Sequence, residues 1–184
     1  MSEKGETNKP RLIRPTSGQR GMTELHYAAY CNDPEAVRVQ LQQDVLVDVR
    51  DDNGWTPLHW SIDMAQAGGK PEQVVDVLLA AGASPDAVDQ SGCSALMMAC
   101  GRNNETIVER LIKAGADIHW RSRSGGTLLH EAASCNFSEA IRRLLMLGLD
   151  PREMDDRDKT PEEVAEDCGF DESVAVFKAA KLAR

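Results

Sequence analysis

The sequence predicts an all-α repeat solenoid, and three observations carry that prediction. Thr23, Thr56, Ser94, Thr127 and Thr160 recur at intervals of 33, 38, 33 and 33 residues. Each opens a short apolar segment, followed past a turn by a longer one with helical spacing. Aromatic residues are 4% of the 184, too few for an aromatic-rich β-sandwich, while a hydrophobic share of 41% supplies a sizeable interior.

In chain order, residues 1–20 are polar and are broken by Pro10, Pro15 and Gly18, so they read as a flexible basic arm. Lys4, Lys9, Arg11, Arg14 and Arg20 against Glu3 and Glu6 give the arm a charge of +3, leaving −12 on the rest of a chain whose total is −9. The first unit, about residues 21–50, holds a short helix from Thr23 to Ala29. A second runs from Pro34 to Leu41, with Ala36, Val37 and Leu41 on one face. Val45 to Arg50 then extends into Asp52, Asn53 and Gly54, a turn signal.

The second unit, 51–88, has the fullest form, Thr56, Pro57, Leu58 and His59. Pro57 suits a first helical turn, which needs no amide donor there. Its second helix spans Glu72 to Ala81, with Gly82 as the C-cap. The extra residues of the longer interval fall in an insertion at 63–70, which either lengthens the first helix by about a turn or bulges its loop. Trp60, beside the insertion, is read as core beneath the lengthened helix; the alternative opens the loop from Ala65 to Lys70 over the concave face. The third unit, 89–121, places helices at Ser94 to Cys100 and Glu105 to Ala114. The fourth, 122–154, places them at Thr127 to Ala133 and Ser138 to Leu147. The fifth, 155–184, runs from Thr160 to Ala165 and from Asp171 to Lys181.

Charge and cysteine usage exclude several functions. An acidic body disfavours nucleic acid and favours basic partners or plain solubility. No apolar run approaches the roughly 20 residues that span a bilayer, and no signal-peptide core is present, so a soluble cytoplasmic protein without membrane contact is expected. Cys31, Cys93, Cys100, Cys135 and Cys168 are odd in number and widely spaced, which suits reduced thiols. Cys31, Cys135 and Cys168 share one repeat position late in the first helix, a layer apart and beyond disulfide reach. His26, His59 and His130 also share a position. Stacked helices lie about 10 Å apart, too far for these histidines to share a metal or a proton. No catalytic set, metal or cofactor is therefore expected, and the chain is read as no enzyme.

The 33-residue period, the Thr-Pro-Leu-His form at Thr56, and its companions Gly82-Ala83, Gly115-Ala116-Asp117 and Asp89 with Gly92 resemble the ankyrin repeat. The resemblance covers Gly21 to the end. It implies about five helix-turn-helix units with β-hairpin fingers, terminal units serving as caps, and a histidine that bonds neighbouring turns. Glu162, Glu163 and Glu166 make the last unit polar, and Asp158 replaces its turn glycine. Glu24 stands at the usual proline position and Asp44 at the Gly82-type position of the first. Ser94, Ala95 and Met97 in the third unit and Leu128 in the fourth depart from the signature, yet all form helix.

The resemblance also implies recognition of another protein through hairpin tips and a concave face of first helices. The candidates are Tyr30, Arg50, Asp52, Trp55, Arg102, Trp120, Arg121 and Arg123, since Trp, Tyr and Arg dominate interface hot spots. Trp120 is either an exposed anchor or a filler on the next hairpin. Arg102, Arg121 and Arg123 form a positive patch for a carboxylate-bearing partner, or pair internally with Asp89 and Glu131. The expected function is a non-catalytic adaptor, monomeric when free. Alternatives are a dedicated inhibitor or immunity protein for a basic toxin enzyme, and a structural or self-associating solenoid.

Overall fold

The computed structural model describes residues 21–63, 69–102 and 104–182. The expected arm and most of the insertion at 63–70 lie outside the described residues. Among the described residues there are ten helices and no strand, which makes the chain an all-α repeat stack. It divides into two compact units, Met1–Ala83 and Ser84–Arg184.

The first unit holds α1 (Glu24–Tyr30), α2 (Pro34–Leu41), α3 (Pro57–Asp63) and α4 (Pro71–Ala80). α1 packs beside α3 and α2 beside α4, around Leu25, Ala29, Val37, Leu58, Val75 and Leu78. The second holds α5 (Ala95–Gly101), α6 (Glu105–Lys113), α7 (Leu128–Ser134), α8 (Ser138–Met146), α9 (Pro161–Asp167) and α10 (Asp171–Leu182). There α7 packs against both α5 and α9, and α10 closes over α8 and α9 with Phe177 fully buried. Neither helix of a pair is long enough to be stable alone, so burial between repeats holds them.

Local chemistry explains the helix boundaries. Thr23 caps α1, and His26 at its third position reaches back to it, with the Thr23 amide donating to Nδ1 at 3.0 Å. Thr56 with His59 and Thr127 with His130 repeat the arrangement at 3.2 and 3.1 Å. In α9 a glutamate does the same work, Glu163 accepting from the Thr160 amide at 2.8 Å. Ser94 caps α5 without a histidine, and the helix forms regardless, as its Ala, Leu and Met content dictates. Each first helix then turns sharply. Asn32 at φ 52° and Asn136 at φ 55° take the left-handed conformation that asparagine tolerates.

The second helices of the middle repeats end on left-handed glycines, Gly82, Gly115 and Gly148, at φ 91°, 92° and 92°. The C-cap of α4 is Ala81, so Gly82, expected as the C-cap, lies one place beyond it. Asp44 is not in this conformation, and α2 ends instead through a tight turn in which the Gln43 amide donates to Gln40. No atom lies within 4 Å of where a side chain at Gly148 would begin. Gly148→Ala should therefore lower the unfolding free energy by the conformational cost alone, about 1 kcal/mol, which a urea titration reads as a lower midpoint.

Two expectations about connections need correction. The segment from Val45 to Arg50 is not continuously extended: a turn at 47–48 interrupts it, with the Val49 amide donating to Leu46. The fingers are tight turns and not β-hairpins, with one isolated bridge, Val88 to Ser94, among the described residues. α3 has seven residues as described, the same as α1, α5, α7 and α9.

Candidate protein-interaction surface

Each finger is built by the residue five places before the helix-capping Thr or Ser. Asp51 receives the amides of Asn53 and Trp55 on Oδ1, both at 2.8 Å. Its own amide donates to the Trp55 carbonyl, and Gly54 closes the turn back to Asp51. Asp89, Ser122 and Asp155 hold the other fingers in the same way, from the amides of Cys93, Gly126 and Lys159. Asp51 and Asp155 are buried for this reason, despite their charge. In Asp155 burial pushes the carboxyl up, but hydrogen bonds from Arg157 and the turn amides outweigh it and hold the group at about 2.

Several predicted recognition residues turn out to be part of this construction. Arg50 donates to the Gly54 carbonyl at 2.9 Å, and Arg121, at the same repeat position, donates to Gly125 at 2.8 Å. Arg121 also reaches Met154 and pairs with Glu153, not with Asp89 or Glu131 as the sequence suggested. Trp120 is a half-buried filler whose indole donates to the Gly92 carbonyl at 3.2 Å, so it packs on the preceding finger and not on the next one. Arg123 lies over the same glycine, its Cγ 2.9 Å from where a Gly92 side chain would start. Asp52 is exposed and overlies Gly21. Arg102, the C-cap of α5, is exposed as expected.

The more distinctive surface lies on the first helices. Four places after each capping Thr or Ser stand Tyr27, Trp60, Met98, Glu131 and Val164. In the first unit this position builds a run of rings. Tyr27 lies 6.3 Å from Tyr30, Tyr30 meets Trp60 edge-on at 5.6 Å, and Trp60 meets Trp55 at 4.9 Å. Tyr27 is 46% exposed, and the other three are half-buried. Trp60 is thus not core, contrary to the sequence reading. Its indole donates to Asp51 Oδ2 at 3.0 Å, which fixes the ring at the surface. Tyr30 and Trp55 were expected here, and Trp60 is the residue that joins them. The signal that reveals it is its repeat equivalence with Tyr27.

In the compact unit Ser84–Arg184 the same position carries Met98 and Val164, both buried, and Glu131 between them in the chain. Glu131 is half-buried over Gly101, where an added side chain would begin 2.8 Å from Oε1. No described residue gives this carboxylate a hydrogen bond or an ion pair, and burial raises its pKa. Other acids of the unit are paired, including Glu139 with Arg142 and Glu166 with Lys178. Glu131→Gln should therefore raise the unfolding free energy at pH 7.5 by up to about 1 kcal/mol, read as a higher urea midpoint, because it removes an uncompensated partly buried charge.

The same geometry bears on catalysis. The Nε2 of His26 donates to the Trp55 carbonyl at 3.0 Å, and that of His130 to Lys159 at 2.9 Å, which commits both rings to structure. Burial pushes the thiols of Cys93 and Cys100 up to about 12, so neither is a nucleophile at neutral pH. Cys31, Cys135 and Cys168 are the C-caps of α1, α7 and α9, one step later than read from sequence. Among the described residues no three His, Cys, Asp or Glu side chains are grouped to hold a metal ion. α8 and α10 border an open groove of about 620 Å³ lined by Leu145, Met146, Ala175, Val176 and Ala179. Arg142 and Glu172 on its walls are already bonded, to Glu139 and Ser138, so it offers area without free orienting groups.

A family model described as ankyrin repeats (3 copies) matches residues 4–68 and 62–155. Glycerophosphocholine phosphodiesterase gde1 of Schizosaccharomyces pombe (strain 972 / ATCC 24843) is 42% identical over 78 residues. That stretch is 42% of this chain and 6% of the fission-yeast protein, so the chain spans a small part of that relative.

Proposed function

The chain belongs to the ankyrin repeat family, whose repeats generally mediate protein–protein interaction and are typically non-catalytic, and from that premise we propose that it is an adaptor that binds one protein partner through its first-helix face and adjoining finger tips. The observation that carries the reading is the run of Tyr27, exposed, with Tyr30, Trp60 and Trp55, half-buried, at the surface of the first unit. Large rings with polar tips give much contact area for little ordering cost, and a fold holds them at its surface only at the expense of core burial. Asp52, on the finger of the same unit, extends the surface as its polar rim, and Arg102 and Arg123 are candidate contacts on the other unit. Arg50 serves finger geometry as much as contact, and on the other unit Arg121 and Trp120 support their own fingers.

Among the described residues no helix is long and apolar enough to cross a membrane. On this reading the adaptor is cytoplasmic and monomeric until its partner arrives, with residues 21–184 as one repeat domain preceded by a basic arm. The phosphodiester chemistry in the fission-yeast relative's name is not carried over, since 6% of that protein is matched. The inhibitor version of the same function is favoured by the acidic body, which would steer a basic enzyme onto the surface. Capture from the native host with wild-type chain and with Trp60→Leu tests the adaptor reading. One protein held by the wild type and lost from the variant supports it, and equal recovery by both removes it.

A further inference from the structure

We propose that the aromatic run on α1 and α3 receives an arginine-bearing basic segment of the partner, its guanidinium groups laid on Trp60 and Tyr30 and steered there by the surrounding carboxylates. This rests on the reading of that face as a protein-binding surface, and adds the chemistry of what it binds.

Ring geometry is the first support. Tyr30 and Trp60 meet at 83° and Trp55 and Trp60 at 61°. In an edge-on contact only one ring of the pair gives up a face, so a half-buried run of this kind keeps π surface for a further group. The preferred addition to a π face is a cation, attracted by the ring quadrupole. The second support is charge. Residues 21–83 contain ten Asp and Glu against Arg38, Arg50 and Lys70. Arg50 already donates to Gly54, and Arg38 is paired with Glu35.

The third support is placement. Asp51 accepts a hydrogen bond from the Trp60 indole, which puts a buried carboxylate at the edge of the ring and adds negative charge beside its faces. Glu24 stands three residues before Tyr27 on α1, and Asp63 three residues after Trp60 on α3, spacings that put each acid on the same helix face as its ring. Rings alone suit an apolar segment and acids alone suit any cation. Rings flanked by acids select a flat, weakly hydrated cation, which is arginine before lysine.

The test uses the full chain and three fluorescein-labelled peptides of one length, alternating glycine with arginine, lysine or citrulline. Binding is followed by anisotropy at 0.15 M salt, with Trp60→Leu and Tyr30→Leu, both charge-neutral changes, checked by circular dichroism. The arginine peptide should bind more tightly than the lysine peptide and far more tightly than the citrulline one. Each variant should weaken it about threefold to tenfold. Two results overturn the proposal: citrulline binding as well as arginine, which marks an apolar site, or both variants matching the wild type, which marks diffuse charge attraction. Loss of a captured partner by Trp60→Leu without any arginine-peptide binding overturns this inference and leaves the protein-binding reading standing. A partner retained by both variants overturns that reading itself.

Discussion

Asp51→Ala should cost about 3 kcal/mol of stability and disorder the aromatic run, while Asp52→Ala costs about 0.5 kcal/mol or less. The two residues are adjacent and chemically alike, but only Asp51 is buried, with 7% of its surface exposed. Its carboxylate takes the amides of Asn53 and Trp55 and the indole of Trp60. Alanine leaves those donors without a charged acceptor, and a hydrogen bond to a charged group contributes about 1.5–3 kcal/mol. The loss reaches the binding surface because one side chain orients Trp55 through its backbone and Trp60 through its ring. Near-ultraviolet circular dichroism should lose tryptophan fine structure in Asp51→Ala and keep it in Asp52→Ala. Similar urea midpoints for the two variants would refute this assignment.

Asp51 also shows why some of the site was legible in the sequence and some was not. The Thr and His positions could be read because capping is local: the partner stands three residues away in the same helix, and the interval repeats. Gly115 and Gly148 were legible for the same reason. Choosing Asp51 over Asp52 requires knowing which acid the turn folds inward, and side-chain type does not say. Recurrence does: Asp51, Asp89 and Asp155 share a repeat position, whereas position 52 is matched by Arg123 and Asp156 further on. Arg50 and Arg121 recur as well, which marks them as finger residues before it marks them as contacts.

A tryptophan beside an insertion suggests burial, which is why the sequence alone places Trp60 in the core. Its equivalent Tyr27 is exposed, Glu131 is half-buried, and Met98 and Val164 are buried, so the position lies at the edge of the core and a large ring there is only partly covered. Glu131 lay beyond reach. Whether a carboxylate finds a cation depends on how separate helices approach each other, and no spacing within α7 encodes that. The same holds for Arg121, whose partner Glu153 comes from the following finger.

Stability should fall as pH is lowered from 7.5 to 5, and the double variant His26→Gln/His130→Gln should lose most of that dependence. In both histidines burial lowers the pKa below 6.5 and outweighs the opposing hydrogen bonds to Trp55 and Lys159. The geometry agrees. Nε2 faces a carbonyl and so carries the proton, while Nδ1 accepts from the threonine amide and has no room for a second one. Below pH 6.5 the unfolded chain takes up protons that the folded chain refuses. Stability therefore declines with falling pH, by up to about 1.4 kcal/mol per pH unit for each histidine, until the folded pKa is reached. Glu131 works in the opposite sense. Its folded pKa is raised, so acid relieves its buried charge as pH drops toward 4.5, and it partly offsets the histidines there. Asp155, held at about 2, stays ionised throughout this range. Glutamine in place of either histidine keeps a donor and an acceptor but cannot titrate. The double variant should thus be less stable than wild type at pH 7.5, with the two urea midpoints converging toward pH 5. Parallel curves would mean that His26 and His130 titrate alike in the folded and unfolded chains, and that the acid response originates elsewhere.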